Sequence, residues 1–264
     1  VQGRRHSLTS ADGTRIGLLT AGTGTGLLLV HGGMGRLERW EPLWELLTER
    51  WQVTAMDRRG RGSSGDKQPY RLSLEYDDVA TVATSLAHSS GGPADVFAHS
   101  YGALCTLGAA ARGAPFRRIA LYEPPGPQTV PREWRERASA MVARGQPGPA
   151  MISFLTEVIG LTREQLSELR NAPGAQDVLP IVSATLPREA EALASADPPA
   201  LAAHVSAPVL LLLGESSPAW AADITHALSA ALAQARLAVL PDLGHEAVDT
   251  APGLICQQLI PFLA

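Results

Sequence analysis

FAHSYGALC, residues 97–105, decides how the chain is read. The run ADVFAHS (94–100) has the apolar character of a β-strand, and YGALCTLGAAARG (101–113) is rich in alanine and leucine as a helix would be. Ser100 stands where one becomes the other. A serine there has two readings. It is an N-cap for the helix, or it is an alcohol held at the apex of a sharp strand-to-helix turn. The flanking residues favour the second. Ala98 and Gly102 lie two before and two after the serine, where a tight apex leaves no room for larger side chains. A helix starting at Tyr101 also aims unpaired N–H groups and a positive dipole end at the same spot.

The pattern on either side sets the architecture. RRHSLTSADGTRIGLLTAG (4–22) reads as two strands joined at Asp12-Gly13, and GLLLVHGG (26–33) as a buried strand stopped by glycines. Helix and strand then alternate: helices over 40–50 and 73–89, strands over 51–57 and 117–123. Residues 124–206 break the rhythm with prolines, glycines and amphipathic helical pieces, and GQPGP (145–149) and NAPGAQD (171–177) read as turns between them. A strand over 207–215, a helix over 221–235, a strand over 236–242 and a closing helix over 253–264 restart it. The expected fold is α/β, a mostly parallel doubly wound sheet. Residues 1–125 and 206–264 form the core, and 126–205 are a helical cap, because a span that long is not a simple connection.

Composition narrows the class. The chain has 264 residues, 45% of them hydrophobic, enough for one sizeable core. A net charge of −4 and scattered arginines speak against nucleic acid as a partner. Cys105 and Cys256 form no CxxC pair and read as small core residues of a reducing compartment. No apolar run has the length of a membrane span, so the expectation is a cytoplasmic protein, monomer or homodimer, acting on a small molecule away from membranes. GTGTG (22–26) precedes a strand without a helix in the right place and reads as a loop, so no dinucleotide cofactor is expected, and no metal-ligand cluster stands out.

Four motifs in order carry a family resemblance that runs nearly end to end. HGGMG (31–35), DRRGRGSSG (57–65), AHSYG (98–102) and LGH (243–245) resemble, in turn, the oxyanion loop, the D-x-R-G-x-G-x-S turn, the nucleophile elbow and the late histidine of the α/β-hydrolase fold. The resemblance implies Ser100 as nucleophile and His245 as its base, with His31 and His99 structural. It implies an oxyanion hole of backbone N–H groups from Tyr101 and from Gly33 or Met34. Asp57, Arg59 and Gly60 then pin a turn near the site.

The acid is where the chain departs from the family. The pattern expects an aspartate after PVLLLLG, and the chain has Gly214-Glu215-Ser216-Ser217. Glu123 answers the gap. It ends the strand directly after the elbow helix, and a strand–helix–strand crossover makes the two strands parallel neighbours about 4.8 Å apart. Some family members take their acid from this strand. Glu215 is its main rival, followed by Asp242 and Asp249.

Trp134, Met141, Met151, Phe154 and Leu155 from the inserted segment, with Met34, Tyr101 and Trp220, are expected to line an apolar pocket or to pack as ordinary core. The function expected is a serine hydrolase of a small to medium apolar ester, lactone or thioester. The alternatives are a lyase, cyclase or haloperoxidase-like enzyme on the same fold, or a catalytically silent binding protein.

Overall fold

The computed structural model describes residues 2–171 and 178–264, with side chains from 185 onward in the helix that begins at 178. The NAPGAQD turn, apart from Asn171, therefore lies outside the described residues.

Two strands, β1 (Arg4–Thr9) and β2 (Arg15–Ala21), form the expected hairpin. It closes through residues 10–14, where Asp12 Oδ1 accepts from the Thr14 N–H at 2.9 Å and Gly13 takes φ +87°. The alternation follows: β3 (Gly26–Val30), α1 (Glu41–Thr48), β4 (Gln52–Met56), α2 (Leu72–Ser90), β5 (Ala94–His99), α3 (Tyr101–Ala111) and β6 (Phe116–Tyr122). After the insertion come β7 (Val209–Gly214), α9 (Ala219–Ala231), β8 (Ala235–Leu240), α10 (Ala247–Thr250) and α11 (Pro252–Leu263).

The eight strands make one sheet in the order β1-β2-β4-β3-β5-β6-β7-β8. β1 and β2 run antiparallel to their neighbours, and all pairs from β4 to β8 are parallel. Every residue of β3, β5 and β7 is buried, because helices cover both faces. One face packs on α2 and α3, with Val30, Val96 and Leu121 against Val79, Leu104 and Leu107. The other packs on α1 and α11, where Trp40 lies against Phe97 with ring centroids 5.3 Å apart.

Between β6 and β7 the described residues hold helices and no strand: α4 (Arg132–Ala143), α5 (Pro147–Ser153), a π-helical turn (Phe154–Val158), α6 (Arg163–Asn171), α7 (Val178–Leu193) and α8 (Pro198–Ala202). GQPGP is a turn only in its first half. Gly145 takes φ +74° after α4, but Pro147 already opens α5, since proline at the first helical position lacks only an N–H that would be unpaired anyway. Among the described residues no helix is long and apolar enough to cross a membrane.

Candidate active site

Ser100 follows the last residue of β5 and has φ 53° and ψ −124°, a strained backbone for a residue with a Cβ. The strain is held in place from both sides. The Ser100 N–H donates to the Tyr122 carbonyl on the neighbouring strand at 2.8 Å, and α3 starts on the next residue. Gly102 is where that helix meets β3. A Cβ there would stand 2.3 Å from the His31 carbonyl oxygen and 2.5 Å from that of Val30, so only glycine fits.

The β5–β6 register pairs His99 with Tyr122, which makes Ser100 and Glu123 the next residues out along two adjacent parallel strands. Glu123 is fully buried and also has positive φ, +48°. Its Oε1 accepts from the Gly214 N–H at 2.7 Å and from the Ser217 hydroxyl at 2.6 Å. Its Oε2 lies 2.5 Å from His245 Nδ1. His245 Nε2 in turn lies 3.0 Å from Ser100 Oγ. A carboxylate only accepts, so Nδ1 carries the proton and Nε2 is left to accept from the serine hydroxyl.

The histidine loop is tied down by groups around it. His99 Nε2 donates to the His245 carbonyl at 3.0 Å, and the Tyr122 hydroxyl donates to the Gly244 carbonyl at 2.5 Å. The Trp220 ring meets the imidazole edge-on at 5.2 Å. Burial first, and then the Arg39 charge, pushes His99 well below the usual histidine range, and burial with Arg58 does the same to His31. His31 works as a neutral ring: Nδ1–H donates to the Gly32 carbonyl at 2.9 Å and Nε2 accepts from the Arg58 N–H at 3.1 Å.

The rival acids stand elsewhere. Glu215 is exposed and accepts from the Asp242 N–H at 3.3 Å, and Asp249 pairs with Arg39 at 2.8 Å. Ser217, in the place where the resemblance expects aspartate, is a partner of Glu123. Its hydroxyl gave no signal in the sequence because its role depends on a carboxylate 94 residues away.

A cavity of about 850 Å³ opens over these residues. Gly33, Met34, Ser100, Tyr101 and His245 lie at one wall. Met151, Phe154, Leu155 and Trp220 line it. Trp134 and Met141 do not. Trp134 is buried behind the lining, its ring 5.6 Å from that of Phe154 and its Nε1 donating to Ser153 Oγ at 2.8 Å, and Met141 sits half-buried on the same helix. Leu186, Glu189 and Leu193 of α7 take their places, on a helix whose amphipathic pattern did not say which side faced a ligand.

RRGRG is a buried ionic turn. Asp57 accepts from the Leu37 and Ser63 N–H groups at 2.9 and 2.8 Å, and Arg59 forks onto Asp78 at 2.7 and 2.8 Å. Gly60 belongs to this turn with φ +73°. Among the described residues no group of three or more His, Cys, Asp or Glu side chains is placed to hold a metal ion.

The model of the alpha/beta hydrolase family matches residues 27–257. An alpha/beta hydrolase from Sphaerobacter thermophilus is 33% identical, covers 98% of this chain and 100% of its own, and superposes with a TM-score of 0.84. The enol-lactonase from Burkholderia xenovorans shares the fold at 21% identity, with a TM-score of 0.80 over 98% of this chain and 99% of its own. A curated relative, the probable oxidoreductase EphD of Mycobacterium tuberculosis, is 34% identical over 100 residues, which are 36% of this chain and only 17% of that protein.

Proposed function

The chain belongs to the alpha/beta hydrolase family, and from that premise we propose that it is a serine hydrolase acting on a small to medium apolar ester, lactone or thioester. The observation that carries the reading is the continuous hydrogen-bonded line Ser100–His245–Glu123, whose Ser100 and His245 line a largely apolar cavity while Glu123 is fully buried. Residues 126–205 serve as a cap on a core of 1–125 and 206–264.

In the first half-reaction Ser100 Oγ attacks the substrate carbonyl carbon while its proton passes to His245 Nε2. Glu123 holds the ring in the correct tautomer and stabilises the imidazolium. The carbonyl oxygen becomes an oxyanion facing the N–H groups of Tyr101, at the first position of α3, and of Gly33 or Met34. Collapse breaks the bond to the leaving group, which takes the proton from His245 and leaves an acyl-serine. In the second half a water gives a proton to His245 and its oxygen to the acyl carbon; the bond from that carbon to Ser100 Oγ then breaks, Oγ takes the proton back from His245, and the acid leaves.

A fluorophosphonate probe tests this. The expected result is one adduct, on Ser100, absent from Ser100→Ala and His245→Ala. Ester turnover in ¹⁸O-water is expected to place one label in the released acid. An unlabelled wild-type protein would return the chain to the silent binding class, and an acid free of ¹⁸O would point to non-hydrolytic chemistry.

A further inference from the structure

Arg58 and Arg61 sit in the turn after β4, yet both side chains are buried, along with Glu75 of α2 and Glu189 of α7. Arg58 donates through Nε and Nη2 to Glu75 at 2.7 Å each, and through Nη2 to Glu189 Oε1 at 2.6 Å. Arg61 Nη2 donates to the same Glu189 oxygen at 2.8 Å. Two guanidinium groups and two carboxylates balance. Of the donors left over, Arg61 Nη1 is buried with no hydrogen-bond partner among the described residues, and the others named here go to the backbone. Arg58 Nη1 donates to the Gly32 carbonyl at 3.0 Å, and Arg61 donates to the Gly33 carbonyl through Nε at 3.0 Å and again through Nη2.

Those two carbonyls belong to the loop from which the oxyanion N–H groups come. A trans peptide is planar, so its N–H points opposite to its C=O. With the Gly32 and Gly33 carbonyls tied to the arginines, the Gly33 and Met34 N–H groups face away from them. The loop is pressed on the elbow, since a Cβ on Gly32 would stand 3.1 Å from that of Ser100.

We propose that Glu189, contributed by the inserted helical segment, is a positioning residue for the oxyanion site: it neutralises Arg58 and Arg61, which fix the peptide groups of residues 32–34. The inference rests on the serine-hydrolase reading. Without Glu189 the cluster holds two buried cations against one carboxylate, and such an imbalance is relieved by moving a charge toward water. Arg61, whose one buried carboxylate partner among the described residues is Glu189, is the group to move, and the Gly33 carbonyl loses its anchor with it. Helix α7 brings Leu186, Glu189 and Leu193 to the cavity together, so seating the inserted segment on a substrate and orienting the oxyanion N–H groups become one event.

The test compares wild type with Glu189→Gln, Glu189→Ala and Arg61→Gln, each checked for folding by thermal unfolding. Turnover is measured with p-nitrophenyl butyrate and its thiono analogue, whose C=S cannot use a hole shaped for an oxyanion. The expected result in the folded variants is a kcat at least about tenfold lower, KM within about threefold, and an oxo-over-thiono preference at least about tenfold smaller. Smaller changes in kcat and in that preference, or a loss confined to KM, overturn the proposal. If Glu189→Ala does not fold, the isosteric Glu189→Gln decides. Wild type that takes no fluorophosphonate on Ser100 overturns the hydrolase reading itself. Wild type that is labelled, with variants phosphonylated equally fast, overturns only the role of Glu189.

Discussion

Glu123 holds a backbone conformation with φ +48°, which costs a side-chain-bearing residue roughly 1–2 kcal/mol. Three donors around its carboxylate offset that cost: the Gly214 N–H, the Ser217 hydroxyl and His245 Nδ1–H. An amide cannot satisfy all three, because whichever way it is turned its NH₂ meets a donor. Glu123→Gln is therefore expected to lower kcat by about 10³–10⁴-fold, the scale seen when the acid of a triad loses its charge. Steady-state ester hydrolysis measures it, and a loss under about tenfold would shift the acid to another residue. Ser217→Ala removes one of the three donors and leaves the charge. Its expected effect is a kcat within about tenfold of wild type and a stability loss of about 1–3 kcal/mol in urea unfolding. A triad-sized loss in Ser217→Ala would contradict its supporting place.

At the scale of elements, the start of α3 packs closely against the end of β3. Gly102→Ala must drive a methyl group into the backbone oxygens of Val30 and His31, and backbone yields less readily than a side chain tip. The expected cost is about 1–3 kcal/mol, read as a lower unfolding midpoint, with slower fluorophosphonate labelling because Ser100 is two residues away. An unchanged midpoint would mean the helix start has slack. The elements themselves were legible in the sequence, because a strand buried on both faces must be apolar along its length, as GLLLV and VLLLLG are. The side of each inserted helix that faces the cavity was not. Trp134 and Met151 look alike as apolar residues on neighbouring amphipathic helices, and only packing decides that one backs the lining and the other forms it.

At the scale of the whole molecule, two buried histidines link stability to pH. His31 and His99 are held well below the histidine range in the fold, while in the unfolded chain they titrate near about 6.5. The unfolded state therefore binds more protons below that value. The stabilisation is whole above pH ~6.5 and is lost as pH falls further, at up to about 1.4 kcal/mol per pH unit for each histidine. Asp249, pushed up to about 6 by burial, works the other way, but its side chain is 42% exposed and water screens it. Urea unfolding at pH 7.5 and 5.5 is expected to show the lower midpoint at pH 5.5, and equal midpoints would contradict the buried neutral pair.

The sequence by itself determined the fold class and the residues with chemistry to offer. Periodicity is local, and so is the steric demand of a sharp turn, which Ala98 and Gly102 record beside Ser100. Tertiary structure decided which of those residues meet. It set Glu123 against His245 across 122 residues, turned Ser217 from a missing acid into a donor, and buried Glu189 between two arginines. The physical reason is that hydrogen bonds and desolvated charge depend on distance in space: the short crossover from β5 to β6 is legible in the chain, but the meeting of segments remote in sequence leaves no local mark on it.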